Sequence, residues 1–230
     1  MVELTGGDAL GLAGVYGYVA LIVALSWALK GRVSNPRKVL HVLTGGIVFF
    51  WWAFDTREIM TGLAAFPFIV ILLMASPISP LGSLKRSPLG MRSTEGHAYG
   101  LVLYAVSWTI IAYALFGDLF AASIAIAAMS FGDGMGELIG RRYGTITFIR
   151  NRTVQGSVAV FASTFAAVVV LDWFYFGLIG YASGGSPDML VPFAAAVAGF
   201  VTCLEAVTPG KVDNLVIPLV VAAYLHILGV

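Results

Sequence analysis

The feature that most constrains this chain is a succession of long apolar stretches separated by short polar connections. Residues 10–29, 39–54, 59–76, 98–116, 118–132, 157–179, 190–204 and 213–230 are each candidates to cross a bilayer. A hydrocarbon core about 30 Å thick needs roughly 20 mostly apolar residues per helix. The 230 residues are 59% hydrophobic and only 11% charged, with a mean hydropathy of +0.93. Soluble domains carry about a quarter charged residues, so this apolar excess exceeds what one core can hide and requires lipid as a second apolar solvent. The expected fold is all-α: one domain over 1–230, a polytopic membrane bundle of about eight transmembrane helices, within a range of seven to nine. The fifth and seventh stretches are short enough for a tilted or partly re-entrant reading. Only Gly117 and Asp118 separate the fourth from the fifth.

Charge placement orders the connections. Every lysine and arginine except Arg57 falls on the side reached after odd-numbered stretches, from Lys30, Arg32, Arg37 and Lys38 through to Lys211. The positive-inside rule makes that side cytoplasmic and both termini external. Glu3 and Asp8 stand where a signal peptide would be basic. Asn151-Arg152-Thr153 matches a glycosylation acceptor, but a cytoplasmic loop never meets that machinery. A net charge of +1 gives no bulk field to collect nucleic acid. The single Cys203 cannot form an internal disulfide, and its apolar surroundings predict a buried thiol. The composition excludes disorder, collagen, coiled coil and a disulfide scaffold.

Unusual chemistry collects on the basic side. In Phe131-Gly-Asp-Gly-Met-Gly-Glu-Leu-Ile-Gly-Arg-Arg-Tyr-Gly144, a helix would place Asp133, Glu137 and Arg141 in one row. Gly132, Gly136, Gly140 and Gly144 would form a neighbouring row. The bare row admits a close backbone or a phosphate, in this chain or across a subunit contact. The charged row could hold a divalent cation with its phosphates, or its members could simply satisfy one another. This is not a P-loop, because no Gly-Lys-Ser/Thr follows. Arg150, Arg152, Thr153, Gln155, Gly156 and Ser157 then lead into the sixth stretch. Arginine forks suit phosphate oxygens, and Ser157 or Thr153 could cap a helix whose N-terminus favours anions. A positive-inside anchor with a helix cap would look the same.

Three further polar groups face this side. Arg37-Lys38-x-x-His41 opens the second stretch, Arg92-Ser-Thr-Glu95-Gly-His97 precedes the fourth, and Glu205 with Asp213-Asn214 frames the last turn before a helix-breaking Pro218. Acids and imidazoles at the mouths of apolar helices are costly when buried unpaired. They are therefore expected to pair, bind a cation or face a wet cavity. Asp172 reads as structural.

Together these four blocks resemble the CTP-dependent polyprenol kinases. That family includes dolichol kinase, phytol kinase and the yeast-type diacylglycerol kinase, and it is distantly related to phosphatidate cytidylyltransferases. Arg37-Lys38-Val-Leu-His41 looks like its Arg-Lys-x-x-His opening, and Arg92 to Tyr99 like its Arg-x-x-Glu-Gly segment. Gly132-Asp133 through Gly144 with Arg152 to Ser157 looks like its nucleotide block, and Glu205…Asp213-Asn214-Leu-x-x-Pro218 like its closing block. Arg152 and Gln155 stand where the family usually has Lys and Glu. An amide at 155 cannot act as a base, but it can orient a loop or helix end.

The resemblance implies Mg²⁺-dependent transfer of the CTP γ-phosphate to the hydroxyl of a membrane isoprenoid alcohol, at a cytoplasmic site. It implies nucleotide contacts at Arg37, Lys38, Arg92, Gly140, Arg141, Arg142, Gly144, Arg150, Arg152, Thr153, Gln155, Gly156, Ser157 and Asn214. Metal ligands would come from Asp133, Glu137, Glu205 and Asp213, with Asp133 foremost in catalysis. His41, Glu95 and Asp213 are open candidates to take the hydroxyl proton. The connections at 77–97 and 133–156 would house base and ribose. Two other readings use the same residues: a cytidylyltransferase making a CDP-lipid, and a secondary transporter with Asp133, Glu137 and Glu205 as ion sites. The absence of an internal repeat weighs against the transporter.

Overall fold

The computed structural model describes residues 3–28, 36–76, 79, 99–181 and 187–229. Each expected stretch is a helix: α1 (Gly6–Ala28), α2 (Lys38–Ala53), α3 (Arg57–Ala75), α4 (Gly100–Ala114), α5 (Leu119–Tyr143), α6 (Val154–Leu178), α7 (Leu190–Val207) and α8 (Asp213–Leu228). Five of them, α1, α3, α5, α6 and α7, are long and apolar enough to cross a membrane, and the other three are shorter apolar helices. No strand occurs among the described residues, so the fold is all-α as expected. The fifth stretch is corrected. Although its apolar run stops near residue 132, α5 continues through the charged segment for 25 residues. The seventh, at 18 residues, is likewise a full helix.

The chain divides into two compact units, 1–117 and 118–230. In the first, the apolar run α2 sits in a helix that starts two residues earlier, α-helical over Pro36–Thr44, and tightens into a nine-residue 3-10 run, Gly45–Ala53. A 3-10 helix rises about 2.0 Å per residue against 1.5 Å, so the tightening lengthens a short segment toward membrane thickness. Asp8, fully buried at the start of α1, holds the turn before α3. Its carboxylate accepts from the Asp55 and Thr56 amides at 3.1 and 3.0 Å, and from the Thr56 and Thr5 hydroxyls at 2.7 and 3.0 Å. The Tyr18 hydroxyl donates to the Leu43 carbonyl at 2.6 Å, over Gly46, where a Cβ would strike the ring. Trp51 and Trp108 stack between α2 and α4 with centroids 6.3 Å apart.

In the second unit α5 is the central helix, and every residue from Leu119 to Ala127 is buried. Its alanines and Ser123 are small enough for neighbouring helices to approach closely. Asp118 caps α5 by accepting from the Ala121 amide at 3.0 Å. The Ser123 and Tyr175 hydroxyls bond at 2.8 Å, pairing the polar groups that α5 and α6 bury together.

Outward faces of α6, α7 and α8 carry Val158, Phe161, Trp173, Val191 and Ile227 in the open, an arrangement suited to lipid rather than water. Cys203 belongs to such a face. The buried residues of α7 are Ala194, Val197, Ala198, Val201, Glu205 and Ala206, a helical stripe that position 203 misses. Its thiol is therefore exposed, contrary to the sequence expectation.

Candidate functional site

The second unit gathers polar residues where the C-terminal half of α5, the start of α6, the end of α7 and the start of α8 meet. Asp133 is 1% exposed and Glu205 3%, with Asp213 and Asn214 also buried. Asp133 closes a π-helical segment of α5, Ala128–Asp133. Such i→i+5 segments shift the phase of the residues that follow and recur at functional sites. The adjoining Gly132 lies against Val160 and Thr164 of α6 and Val201 of α7. Glu205 follows Val201 by about one helical turn.

The glycine row is the seam between α5 and α6. A Cβ on Gly136 would run into Val160, and one on Gly140 would come 3.0 Å from Thr153 Oγ1 and 3.4 Å from Gly156 Cα. The close approach anticipated from the sequence is therefore made by a helix of this chain. That contact, rather than a phosphate or a second subunit, fills the groove beside these glycines.

Most of 133–156 is helix, so the connection expected to house base and ribose shrinks to a hairpin over 144–153. Its tip is a tight turn in which the Arg152 amide donates to the Ile149 carbonyl at 2.8 Å. Arg150 and Asn151 both have positive φ, 48° and 63°. Asn tolerates that region but Arg seldom adopts it. A bridge between Thr147 and Thr153 and a Val154 amide donating to the Ile146 carbonyl at 2.9 Å close the hairpin.

Of the two candidate caps for α6, Thr153 is the one used: its Oγ1 accepts from the Gly156 amide at 3.1 Å. With the Val154 and Gly156 amides both bonded within the protein, the α6 N-terminus offers fewer donors to an anion than its sequence implies. Gln155 does what an amide can do here. Its Oε1 accepts from the Thr145 amide at 3.1 Å and its Nε2 donates to the Thr145 hydroxyl at 2.6 Å, pinning the hairpin to α6. A glutamate could accept from both groups once the hydroxyl turns round. Gln155→Glu should therefore keep the hairpin, whereas Gln155→Ala, losing two bonds of about 1 kcal/mol each, should speed amide hydrogen exchange across 145–153 by roughly fivefold or more. Equal exchange in the alanine variant would show that the bracket is idle.

The charged row separates into different pairs. Glu137 and Arg141 form an i,i+4 bridge at 2.9 Å, with the Arg141 side chain 74% exposed, so the pair adds only a few tenths of a kcal/mol. Arg142 lies over the Tyr143 ring, 5.4 Å from guanidinium carbon to ring centroid. Arg150 is exposed at the hairpin tip. Arg152 differs. Its side chain is only 21% exposed, and Nη1 meets Glu205 Oε1 at 2.8 Å. Its Nη2 is buried and has no hydrogen-bond partner among the described residues. Glu205, expected as a metal ligand, is ion-paired with Arg152.

At the start of α8, Asp213 Oδ1 accepts from the Asn214 amide at 2.7 Å. Pro218 lies inside α8 and does not break it, correcting that expectation. Proline in the second turn removes the one N–H that would have reached the Asn214 carbonyl. Among the described residues no three acidic, His or Cys side chains converge as a metal cluster. Magnesium bound with a nucleotide ordinarily takes one or two carboxylates, with phosphate and water oxygens completing its shell. The buried oxygens of Asp133 and Asp213 suit that chemistry.

The other two blocks belong to the first unit. Lys38 and His41, three residues apart on α2, are both buried, and the His41 ring stands edge-on to Tyr104 at 5.3 Å. The Arg37 side chain, Arg92, Glu95 and His97 lie outside the described residues. Sequence reasoning passed over Thr164, whose buried Oγ1 faces Gly132 beside Asp133. The available signal was a hydroxyl seven residues beyond Ser157, on the same face of an apolar helix.

Apolar helices with exposed apolar flanks and acids buried beside arginines define a polytopic membrane protein with a polar site at its helix ends. No known family profile matches the chain, and no solved structure does. Curated sequences do. A probable chloroplastic phytol kinase of Triticum aestivum is 28% identical over 225 residues, covering 93% of this chain and 74% of the relative. The phytol kinase of a Synechocystis strain is 28% identical, covering 92% and 87%. Phytol kinase 1 of Arabidopsis thaliana is 27% identical, covering 93% and 73%. The chain is thus similar to phytol kinases over nearly its whole length.

Proposed function

We propose that the protein is a lipid kinase that transfers the γ-phosphate of CTP to the hydroxyl of an isoprenoid alcohol, with phytol the first acceptor to test. The alignment with phytol kinases over more than nine-tenths of the chain carries this reading. In the transfer, the alcohol oxygen bonds to the γ-phosphorus, the bond to the β–γ bridging oxygen breaks, CDP leaves and the hydroxyl proton passes to a carboxylate or a neutral imidazole. Phosphoryl transfer is mostly positioning and charge neutralisation. The arrangement of Asp133, Arg152 and Asp213 suits that work.

Arg141, Arg142 and Arg150 are exposed and available to phosphate oxygens. Arg152 is held by Glu205, which leaves Nη2 for an anion. Asp133, with Asp213 or Glu137, would hold Mg²⁺, which supplies neutralising charge to the phosphates when bound. Glu205 acts as a positioning residue for Arg152. His41, Glu95 and Asp213 remain the candidates for the proton. By the charge bias of the connections, the site faces the cytoplasm and both termini face away from it.

The test is phosphate transfer by the purified protein in lipid, with Mg²⁺ and γ-labelled CTP or ATP. Phytol, geranylgeraniol, longer polyprenols and diacylglycerol are offered in parallel. Label in an isoprenyl phosphate, with CTP preferred, is expected. No labelled lipid from any alcohol would overturn the proposal, and label passing to a phosphorylated lipid from α-labelled CTP in a parallel assay would identify cytidylyl transfer instead.

A further inference from the structure

The hairpin between α5 and α6 has two unlike faces. Side chains alternate across an extended ladder, and the Thr147–Thr153 bridge sets which of them share a side. Thr145, Thr147 and Thr153 fall on one, where Thr145 bonds to Gln155 and Thr153 caps α6. Ile146, Phe148 and Val154 fall on the other, and all three are exposed, Ile146 by 59%. Ile149 at the tip and Tyr143 at the root are exposed as well. So many large apolar side chains in one short connection mark a surface that meets something other than water.

Two observations say what it meets. The first is continuity with the outward face of α6, since Phe148 and Val154 border the same shallow depression as Val158 and Phe161. α6 runs for 25 residues, about 37 Å at 1.5 Å per residue, and so overruns a hydrocarbon core of about 30 Å. Its first turn, with the hairpin before it, reaches the headgroup layer. The second observation is charge. No Asp or Glu occurs between Glu137 and Asp172, while the same stretch carries Arg141, Arg142, Arg150 and Arg152. Glu137 pairs with Arg141 and Glu205 with Arg152. Arg142 and Arg150 are exposed and have no carboxylate partner among the described residues. Tyr143, with Arg142 over its ring, has the mixed apolar and polar character found at the edge of a bilayer. An apolar face rimmed by uncompensated cations complements an anionic lipid surface. An acidic protein would suit the arginines but not the continuity with a lipid-facing helix.

We propose that the hairpin is an interfacial anchor. Ile146, Phe148 and Ile149 enter the boundary of the acyl chains, and Arg142 and Arg150 hold phosphate groups of anionic lipids in the same leaflet. Arg152 and Gln155 stand at the root of the hairpin, so its docking fixes the polar site at headgroup depth. The anchor concerns how the chain meets its membrane, and it stands whether or not the kinase reading does.

Amide hydrogen exchange across 143–153 tests it on the intact protein in nanodiscs. The discs are phosphatidylcholine alone, phosphatidylcholine mixed with phosphatidylglycerol, or phosphatidylcholine with CTP or inorganic phosphate added. Exchange is expected to slow about fivefold or more in the anionic discs. Ile149→Glu, which puts a carboxylate at the tip, should lose most of that protection. Slowing by CTP or inorganic phosphate, with none in the anionic discs, would give the arginines to a free phosphate and overturn the anchor. Equal exchange in every condition would overturn it too, leaving the face to a protein partner. A nitroxide on Ile149→Cys, in a Cys203→Ser background, provides a second reading. Oxygen should reach it in preference to a water-soluble nickel chelate, and the opposite preference would place the tip in water and remove the anchor. The exchange comparison uses the unaltered protein, so poor folding of a variant does not remove the test.

Discussion

Asp133→Asn is expected to abolish phosphate transfer while the protein still inserts, folds and purifies at its usual yield. The asparagine keeps the size of the side chain and one carbonyl oxygen, so the packing of Gly132 against Val160, Thr164 and Val201 has no reason to change. The substitution removes a negative charge that is 1% exposed at the end of a π-helical segment. Placing an ionised carboxylate there costs several kcal/mol unless something repays it. On the kinase reading, a carboxylate at the junction of four helices offsets that cost through its hold on Mg²⁺ and the phosphates. Loss of about 100-fold or more in rate is expected, with no rescue by excess Mg²⁺. Glu137→Gln provides the contrast. Its bridge to the exposed Arg141 lies near the surface, so stability should change by no more than about 0.5 kcal/mol. Near-normal turnover by Asp133→Asn would remove Asp133 from the chemistry.

The second large effect is on stability. Glu205→Ala strands the Arg152 guanidinium, which is only 21% exposed, without its 2.8 Å partner. Breaking a fully buried pair costs about 3–5 kcal/mol. Because Arg152 is partly solvated, roughly 2–3 kcal/mol is expected here. Glu205→Gln, whose amide oxygen still accepts from Nη1, should cost about 1 kcal/mol. The double replacement Arg152→Leu with Glu205→Leu leaves no charge behind, so it should recover most of the loss while remaining inactive. Chemical or thermal unfolding in detergent reads the cycle directly. Activity of Glu205→Gln separates two roles for the same residue. A positioning role raises the KM for CTP at unchanged half-saturation by Mg²⁺, whereas a metal ligand would shift the Mg²⁺ dependence itself. A double variant no more stable than Glu205→Ala would show that the pair is not coupled.

Much of the fold was legible before any coordinates. The apolar stretches became helices because a bilayer leaves each segment to satisfy its own backbone, and helix length and hydropathy are local properties. Legibility failed where charge ended an apolar run. Residues 133–143 read as a boundary, yet α5 passes through them because Gly136 and Gly140 let α6 cover that face. Pro218 read as a helix breaker, but near the start of α8 it removes only one hydrogen bond. The site was legible as residue types rather than partnerships. Gln155 announced itself by departing from the pattern of the family the sequence resembles, while its bond to Thr145 needed the hairpin to bring them together.

The sequence by itself determined the membrane class of the protein, the positions of its apolar helices and the four polar blocks. Each of these depends on residues within a helix length of one another. Only the tertiary structure decided which charges are buried and what they meet. Arg152 and Glu205, far apart in the chain, become a pair because α7 packs along α6. The glycine row becomes a helix seam rather than a phosphate cradle for the same reason. Burial and ion pairing are set by neighbours from other helices, and no local pattern carries their identity.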